Sequence, residues 1–298
     1  MIARGPHVRP LARGRRAGFT LIEMMVALAI GLSVVGALIA AYVASSQSGR
    51  HNDAMVQIAE DATLALGVMR QQVAQAGFSV PHGAFALHAF PAVAGCEAAG
   101  FIDLQVGVLG PANCEPTHPD QATSDTLEVA YEGSVMPGPA SNGILGSGGK
   151  EPLDCLGNAF AKTHDEANGD YWLNDSKFYV ANGSLECHGP GNAAGAAVVQ
   201  NVESLQVTYG MAAGPAGSHG ANQVIYYDVA PHPGSPLWGN VVAVNVCVQV
   251  RSATKVLDKA AAPTLGGWID CRNVARNAAD GYMRRTFSTT IVLQNKLL

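Results

Sequence analysis

The chain has 298 residues, 48% of them hydrophobic, which is enough to bury one large core or two modest ones and excludes a wholly disordered protein. Only 14% of the residues are charged, against about 25% in typical soluble domains, and the 34 glycines and 16 prolines indicate many loops. Five arginines lie within the first 18 residues and all 23 acidic residues follow them, so the body of the chain is more acidic than the net charge of −5. An acidic body without a Lys/Arg cluster argues against binding of nucleic acid or of an anionic membrane surface by the folded part.

The N-terminus consists of a basic leader and a long apolar segment. Residues 1–18 contain five arginines and no acid, and residues 19–43 contain one charged residue, Glu23, and no proline. An α-helix needs about 20 residues to cross about 30 Å of hydrocarbon, so residues 19–43 are predicted to be a transmembrane helix. The arginines ahead of it predict a cytoplasmic N-terminus, with everything downstream outside the cytoplasm.

An ordinary secretory signal peptide is the alternative interpretation of this N-terminus, since it also joins a basic region to an apolar one. Here the apolar run is longer than the about 7–15 residues of a signal peptide, and a carboxylate lies near its start. Both features favour a membrane anchor that is retained.

Residues 44–77 are predicted to continue the helix in an amphipathic form. Apolar residues recur at spacings of three and four, which predicts one buried stripe. The stripe consists of Met55, Ile58, Ala62, Leu66, Met69, Val73 and Ala76. Gly77 and Pro81 suit a helix C-cap and a stop, and we expect the stripe to pack against residues 78–298.

Beyond Pro81 the periodicity changes to that of β-strands. Runs rich in Val, Ile, Tyr and Thr, bounded by Gly/Pro/Asn clusters, predict half-buried antiparallel strands. The predicted strands are residues 101–108, 126–131, 177–181, 196–209, 223–229, 241–250 and 283–293. Residues 133–152, 186–195 and 210–222 lack periodicity and are predicted to be loops.

Six cysteines follow the predicted membrane segment: Cys96, Cys114, Cys155, Cys187, Cys247 and Cys271. An even set outside the cytoplasm favours disulfides over the alternative of buried free thiols, although six cysteines allow fifteen pairings. Pairing in consecutive order, 96–114, 155–187 and 247–271, would stabilise three loops by about 3–4 kcal/mol each. The chain contains no CxxC motif, which argues against a zinc ribbon or a thioredoxin-like site.

The sequence contains no motif typical of an enzyme. Neither a GxSxG elbow nor HExxH occurs, and the Gly-Lys at 149–150 lacks the other residues of a phosphate loop. Asp165, Glu166, Asn168 and Asp170 bring oxygen donors close together, but not in the order of a calcium loop, and calcium binding there stays open. We expect no catalysis, no cofactor and no other metal site.

The junction between leader and apolar segment carries the strongest signal. Gly18 ends the basic leader, Phe19 is an aromatic residue that starts the apolar run, and Glu23 stands at the fifth position of that run. A carboxylate inside the bilayer costs at least about 2.5–3.5 kcal/mol, so its presence calls for a function and a partner. This combination resembles the class III signal of type IV prepilins.

The resemblance extends to the PilW type of minor pilin. Its further segments are Ala-Leu-Ala-Ile-Gly-Leu at 27–32, the polar Ser45, Gln47 and Ser48, Ala-Gly-Phe at 76–78, and residues 127–131 and 202–210. One departure is Ala40, which stands where many major pilins have a helix-kinking proline; it argues against a major-pilin role more than against a minor one.

The resemblance implies a pilin-like α+β fold, with a long N-terminal transmembrane and amphipathic helix packed on an antiparallel β-sheet and disulfide-pinned loops. It implies cleavage of residues 1–18 by a prepilin peptidase between Gly18 and Phe19, N-methylation of Phe19, and a contact of Glu23 with the N-terminal amine of a neighbouring subunit. The implied function is that of a structural minor pilin that helps initiate or cap type IV pilus assembly.

The implied partners are other minor pilins, the major pilin, the inner-membrane assembly platform and a tip adhesin. The chain would lie in the inner membrane before assembly and in the filament near its tip afterwards; whether it serves twitching motility, adhesion or another output stays open. A J-type pseudopilin of a type II secretion system is the alternative within the family. A membrane-anchored periplasmic hydrolase or binding module is the alternative from another class.

Overall fold

The computed structural model describes residues 18–78, 93–96, 124–133, 151–165, 169–214, 223–227, 236–257 and 266–296. The chain divides into two compact units, Met1–Arg50 and His51–Leu298. One α-helix, α1 (Leu21–Gln75), contributes residues to both units.

The part of α1 in the first unit exposes apolar side chains on all sides. Every described residue up to Arg50 is exposed, and large apolar side chains such as Leu21 and Leu32 expose more than three quarters of their surface. The Ser33 hydroxyl donates to the Ala29 carbonyl (2.7 Å), so this donor is satisfied within the helix and does not require a hydrogen bond from water. By length and composition α1 is the one helix in the described part of the chain that could cross a membrane.

The part of α1 in the second unit buries one stripe. Ile58, Ala62, Met69, Val73 and Ala76 of the predicted stripe are buried. Two predicted members, Met55 and Leu66, are only partly buried, and the neighbouring alanines Ala54 and Ala65 take the central positions.

The helix ends as its sequence predicts. Gly77 has a φ of +74°, the left-handed conformation that glycine adopts at a helix C-terminus. The Gly77 N–H donates to the Ala130 carbonyl (2.9 Å), and the Glu132 N–H donates to the Phe78 carbonyl (2.8 Å). The chain leaving the helix is therefore bonded directly to a strand.

Twelve strands lie in the described residues: β1 (Val93–Cys96), β2 (Thr126–Gly133), β3 (Thr163–Asp165), β4 (Gly169–Ala181), β5 (Ser184–Gly189), β6 (Asn192–Gln200), β7 (Val202–Ala212), β8 (Val224–Tyr227), β9 (Val241–Arg251), β10 (Gly267–Ile269), β11 (Ala275–Asn277) and β12 (Arg284–Val292). Short 3₁₀ helices occupy Pro236–Asn240 and Gln294–Lys296. All the strand pairs are antiparallel.

The strands form two main sheets and a hairpin. The first sheet has the order β1-β2-β4-β5-β6, with β3 paired to β4, and the second has the order β12-β9-β7-β8. Strands β10 and β11 form a separate hairpin. The two main sheets meet beside the start of β2, where the Asp125 N–H donates to the Leu205 carbonyl (2.7 Å) and the Asp125 carboxylate accepts the Val207 N–H (2.8 Å).

One hydrophobic core joins the helix stripe to both sheets. The first sheet contributes Leu127, Val129, Phe178 and Leu185, and the second contributes Leu205, Val207, Val244, Val246 and Val248, all nearly inaccessible to solvent. The predicted α+β class, with a long helix packed on antiparallel sheet, is confirmed.

The strand predictions need three corrections. Residues 186–195, predicted as a loop, belong largely to β5 and β6. The predicted strand 196–209 is two strands, because Asn201 between β6 and β7 has a φ of +65° and turns the chain. Strands β1, β3, β10 and β11 were not predicted, and the predicted strand 101–108 lies outside the described residues.

A buried polar network ties the helix to the first sheet. The Tyr131 hydroxyl donates to Gln72 Oε1 (2.8 Å) and accepts from Asn174 Nδ2 (2.8 Å), and the Ser176 hydroxyl donates to Asn174 Oδ1 (2.6 Å). Gln72, Tyr131, Asn174 and Ser176 expose at most 3% of their surface. Each member therefore depends on the others for its hydrogen bonds.

We expect Tyr131→Phe to lower the free energy of unfolding of the full-length protein in detergent by about 1–3 kcal/mol. The substitution leaves Gln72 Oε1 and an Asn174 N–H buried and unpaired, and unpaired buried groups bear the full cost of desolvation. Urea unfolding followed by tryptophan fluorescence measures the change. Tyr179→Phe is the control, since it removes the same hydroxyl at a half-buried position, and should cost less; an equal loss for both variants would contradict the role given to the network.

Candidate functional site

The predicted processing junction lies just ahead of the helix. Gly18, Phe19 and Thr20 are non-helical, and α1 begins at Leu21. Phe19 exposes 84% of its surface, and the Gly18–Phe19 peptide bond therefore lies in an open, non-helical segment. The predicted residues Gly18 and Phe19 therefore lie just ahead of the helix, and Glu23 lies in its first turn.

Thr20 and Glu23 form a reciprocal cap at the helix start. Glu23 Oε2 accepts hydrogen bonds from the Thr20 N–H (2.9 Å) and the Thr20 hydroxyl (3.0 Å), and Thr20 Oγ1 accepts from the Glu23 N–H (3.3 Å). This is the capping box, in which an N-cap Thr and a Glu three residues later satisfy each other's backbone N–H groups. The carboxylate also lies at the positive end of the helix dipole, which favours its charge.

Nothing in the described part of the chain requires glycine at position 18. A Cβ added to Gly18 would meet no atom within 4 Å, and the residue does not have the positive φ that favours glycine. A requirement for a small residue at position 18 must therefore come from a molecule that binds this segment.

Two of the disulfides in the consecutive pairing are present in residues 78–298, here called the β-rich unit. Cys155 pairs with Cys187, with a Cα–Cα distance of 6.4 Å, and Cys247 pairs with Cys271, with a Cα–Cα distance of 5.8 Å. The first joins the loop before β3 to β5, and the second joins β9 to the hairpin of β10 and β11. Cys114 lies outside the described residues, so the predicted Cys96–Cys114 pair stays a prediction.

The first disulfide lies beside a tightly packed loop. The buried Asp154 carboxylate accepts hydrogen bonds from the N–H groups of Leu156 (2.9 Å), Asn158 (2.9 Å) and Gly191 (3.1 Å). A Cβ on Gly189 would lie 2.5 Å from Asp154 Oδ2, so only glycine fits there. The disulfide and this carboxylate together hold the loop against β5 and β6.

A buried charged cluster on the first sheet is the strongest alternative candidate for a chemical site. Lys177 Nζ lies 3.3 Å from Glu128 Oε1 and 3.4 Å from Asp175 Oδ2, and both carboxylates have side chains only 1% exposed. Burial, together with the neighbouring Asp175 carboxylate, raises the pKa of Glu128 from 4.5 to about 9. The cluster is thus a neutral acid beside an ion pair, and a buried pair of this kind is as consistent with packing as with chemistry.

Within the described residues, no group of three or more His, Cys, Asp or Glu side chains is placed to hold a metal ion. Of the four donors considered for calcium, Asp170 is the one whose side chain is described, and its carboxylate lies 2.6 Å from His164 Nδ1. This hydrogen bond lowers the pKa of Asp170. Glu166, Asn168 and the side chain of Asp165 lie outside the described residues.

Two family models match separate parts of the chain. The model described as "Prokaryotic N-terminal methylation motif" matches residues 13–39, which include Gly18, Phe19 and Glu23. The model described as "Type IV Pilus-assembly protein W" matches residues 170–295, from β4 to the end of the described chain. The resemblance to PilW-type minor pilins with a prepilin N-terminus is confirmed, and neither model describes an enzyme.

Two solved structures are similar to the chain at low identity. A type IV-like pilin from Thermus thermophilus is 11% identical, with a TM-score of 0.39, over 80% of this chain and 97% of that one. A chain of the GspK–GspI–GspJ complex from the type 2 secretion system of enterotoxigenic Escherichia coli is 10% identical, with a TM-score of 0.27, over 79% of this chain and 94% of that one. No curated protein sequence matches the chain.

Sequence reasoning recognised Glu23 but missed its partner Thr20. The signal was present, because a Thr followed three residues later by Glu just before an apolar run is the sequence pattern of a capping box. The buried pair of Glu128 and Asp175 gave no such signal, since it depends on the register of β2 against β4, in which Glu128 lies opposite Lys177.

We expect the stability of the protein to fall as the pH rises from about 4.5 towards 9, because Glu128 stays protonated in the folded state and ionises in the unfolded one. Glu128→Gln mimics the protonated acid and should raise the free energy of unfolding at pH 8 by at least about 1 kcal/mol. Unfolding titrations of the full-length protein at several pH values measure this. Glu151→Gln, at an exposed position, is the control; a wild-type pH profile in Glu128→Gln would contradict the buried neutral acid.

Proposed function

We propose that this chain is a structural minor pilin that helps initiate or cap type IV pilus assembly. The observation that carries the proposal is the continuous helix α1, which starts at a prepilin-type junction, exposes apolar side chains over its first part and buries a stripe against the sheets with its second. The match of residues 170–295 to the PilW family supports a minor-pilin role for the β-rich unit.

In this proposal residues 1–18 are a leader that a prepilin peptidase removes at the cytoplasmic face, and Phe19 is then N-methylated. Residues 19–43 anchor the chain in the inner membrane, where exposed apolar side chains are favourable and exposed polar groups are costly. Residues 44–77 and the β-rich unit lie outside the cytoplasm, in agreement with the two disulfides. The expected partners are the other minor pilins, the major pilin, the assembly platform and a tip adhesin.

Glu23 is the proposed contact between subunits. Cleavage would place a positive amine on Phe19, and a carboxylate at the same depth in a neighbouring helix would pair with it in a medium of low dielectric constant, where ion pairs are strong. The Glu23 carboxylate is fully exposed in the isolated chain, so the amine of a neighbouring subunit can reach it.

We expect Gly18→Val to block removal of the leader without stopping membrane insertion. The chain has room for a side chain at this position, so the effect would arise in the peptidase and not in the fold. Immunoblotting of membrane fractions would show the uncleaved precursor, with Gly14→Val in the leader as the control. Normal processing of Gly18→Val would count against the proposed junction.

We expect Glu23→Ala to lower recruitment into pili to about a tenth of the wild-type amount or less, because the ion pair with the neighbouring amine is lost. Glu23→Asp should be intermediate, since its charge reaches less far. Glu23→Gln keeps an oxygen that can accept the Thr20 N–H but has no charge, so it should be recruited as poorly as Glu23→Ala.

The measurement is co-purification of the cleaved protein with sheared pili and with the other minor pilins. Formation of both disulfides serves as the folding control, since these lie in the other unit of the chain. Wild-type recruitment of Glu23→Ala would show that the carboxylate is not an assembly contact. Recruitment of Glu23→Gln at the wild-type level would show that capping, and not charge, is what assembly needs.

A further inference from the structure

The hairpin of β10 and β11 lies on the outer face of the second sheet. Along β9, buried valines alternate with the half-buried Asn245, Cys247 and Gln249, which lie on the face away from the core. The hairpin is fixed to this face by the Cys247–Cys271 disulfide and by a hydrogen bond from Trp268 Nε1 to Gln249 Oε1 (2.8 Å). A covalent and a polar contact therefore hold it in one position on the sheet.

A groove with a volume of about 620 Å³ runs beside the hairpin. Three strands form its floor, in a register that places Thr208 of β7 opposite Asn245 of β9. In the next row, Ser288 of β12 lies opposite Cys247. Residues 269–273 of the hairpin form the wall. Small-molecule sites have volumes of about 300–1,000 Å³, so the groove is large enough for a ligand.

The floor of the groove offers uncharged hydrogen-bonding groups. Asn245 Nδ2 donates to the Thr290 hydroxyl (2.8 Å), which leaves Asn245 Oδ1 as an acceptor. In the part of the chain that the structure describes, the Thr208 and Ser288 hydroxyls make no hydrogen bond. Because a hydroxyl both donates and accepts, the floor suits a ligand whose own groups do both.

The charged groups of the wall already have partners. The Asp270 carboxylate accepts from the N–H groups of Arg272 (2.9 Å) and Val274 (2.9 Å) and from Arg276 Nε (2.7 Å). Arg272 Nε donates to Gln206 Oε1 (2.8 Å). The wall therefore does not select a cation, and the groups left for a ligand are mainly hydroxyls and amides.

The floor excludes two other kinds of ligand. At both Asn245 and Cys247, β9 is paired with β7 on one side and with β12 on the other, so a peptide strand cannot add to its backbone. An apolar ligand would separate the floor groups from water without replacing their hydrogen bonds. A ligand rich in hydroxyl groups replaces these bonds, and Ile269, which exposes 58% of its surface on the wall, can contact its C–H groups.

We propose that this groove binds a neutral oligosaccharide. Thr208, Asn245 and Ser288 bond the hydroxyls of one sugar ring, and Ile269 contacts its C–H face. A smaller pocket of about 350 Å³, which includes Trp268, shares residues 270–272 with the groove, so it provides the place for a second ring. The inference does not depend on the proposed role in pilus assembly, because the groove lies wholly in the β-rich unit.

The experiment measures binding by the purified full-length protein, in a detergent without a sugar headgroup, using isothermal titration calorimetry. The probes are neutral oligomers of glucose, galactose, mannose and N-acetylglucosamine, with uronic-acid oligomers and a Gly/Ser peptide for comparison. We expect at least one neutral oligomer to bind with a millimolar or lower Kd. Ser288→Ala and Asn245→Ala should each weaken this binding about fivefold, the effect of losing one hydrogen bond.

Thr290→Val is the matched control, since it also breaks the Asn245–Thr290 hydrogen bond but lies outside the groove, and it should bind like the wild type. Peptide mapping that recovers the Cys247–Cys271 disulfide in each variant shows that the hairpin is still in place. No binding of any neutral oligomer at millimolar concentration would overturn the inference. Tighter binding of the acidic oligomers or of the peptide, or wild-type affinity in both Ser288→Ala and Asn245→Ala, would overturn it as well.

Discussion

The rest of the structure depends on one constraint: the single helix α1 must be stable in two environments, an apolar one around its first part and the protein core beside its second part. Over residues 21–50 of α1 the apolar side chains are exposed on every side, which water disfavours and hydrocarbon accepts. From Ala54 to Val73 the helix buries one stripe, and both main sheets supply the core that covers it. The Gln72–Tyr131–Asn174 network adds a fixed polar contact within this core, so the first sheet cannot shift along the helix without unpairing buried groups.

The helix start carries the other constraint, a carboxylate in an otherwise apolar segment. Glu23 accepts two hydrogen bonds from Thr20 and lies at the positive end of the helix dipole, so its charge is stabilised within its own chain. The Glu23 side chain stays exposed, so its carboxylate can still pair with a cation. This arrangement suits the proposed function, in which the subunit resides in a membrane before it assembles with neighbouring subunits.

The elements that follow a regular pattern could be predicted from the sequence, and those that depend on close non-local packing could not. The stripe at Ile58, Ala62 and Met69 follows from helical periodicity, and β9 follows from its valines. Strand β5 was missed because Gly189 and the Pro190-Gly191 that follow it indicate a loop, whereas Gly189 belongs to the strand and is required there by the close approach of the Asp154 side chain. At the site, Glu23 could be recognised from its cost in an apolar helix, while the register that places Glu128 opposite Lys177 exists only in the folded sheet.

The mass of the N-terminal peptide of the protein extracted from membranes shows whether α1 is a retained, prepilin-type anchor. We expect a mature chain that begins at Phe19 with one methyl group on its amine and retains the whole of α1. A mature chain that begins beyond Val43 would contradict it, because the apolar half of the helix would then be a discarded signal peptide and Glu23 would play no part in the mature protein. An unprocessed N-terminus, with residues 1–18 retained, would equally contradict it and would favour a membrane-anchored protein of another class.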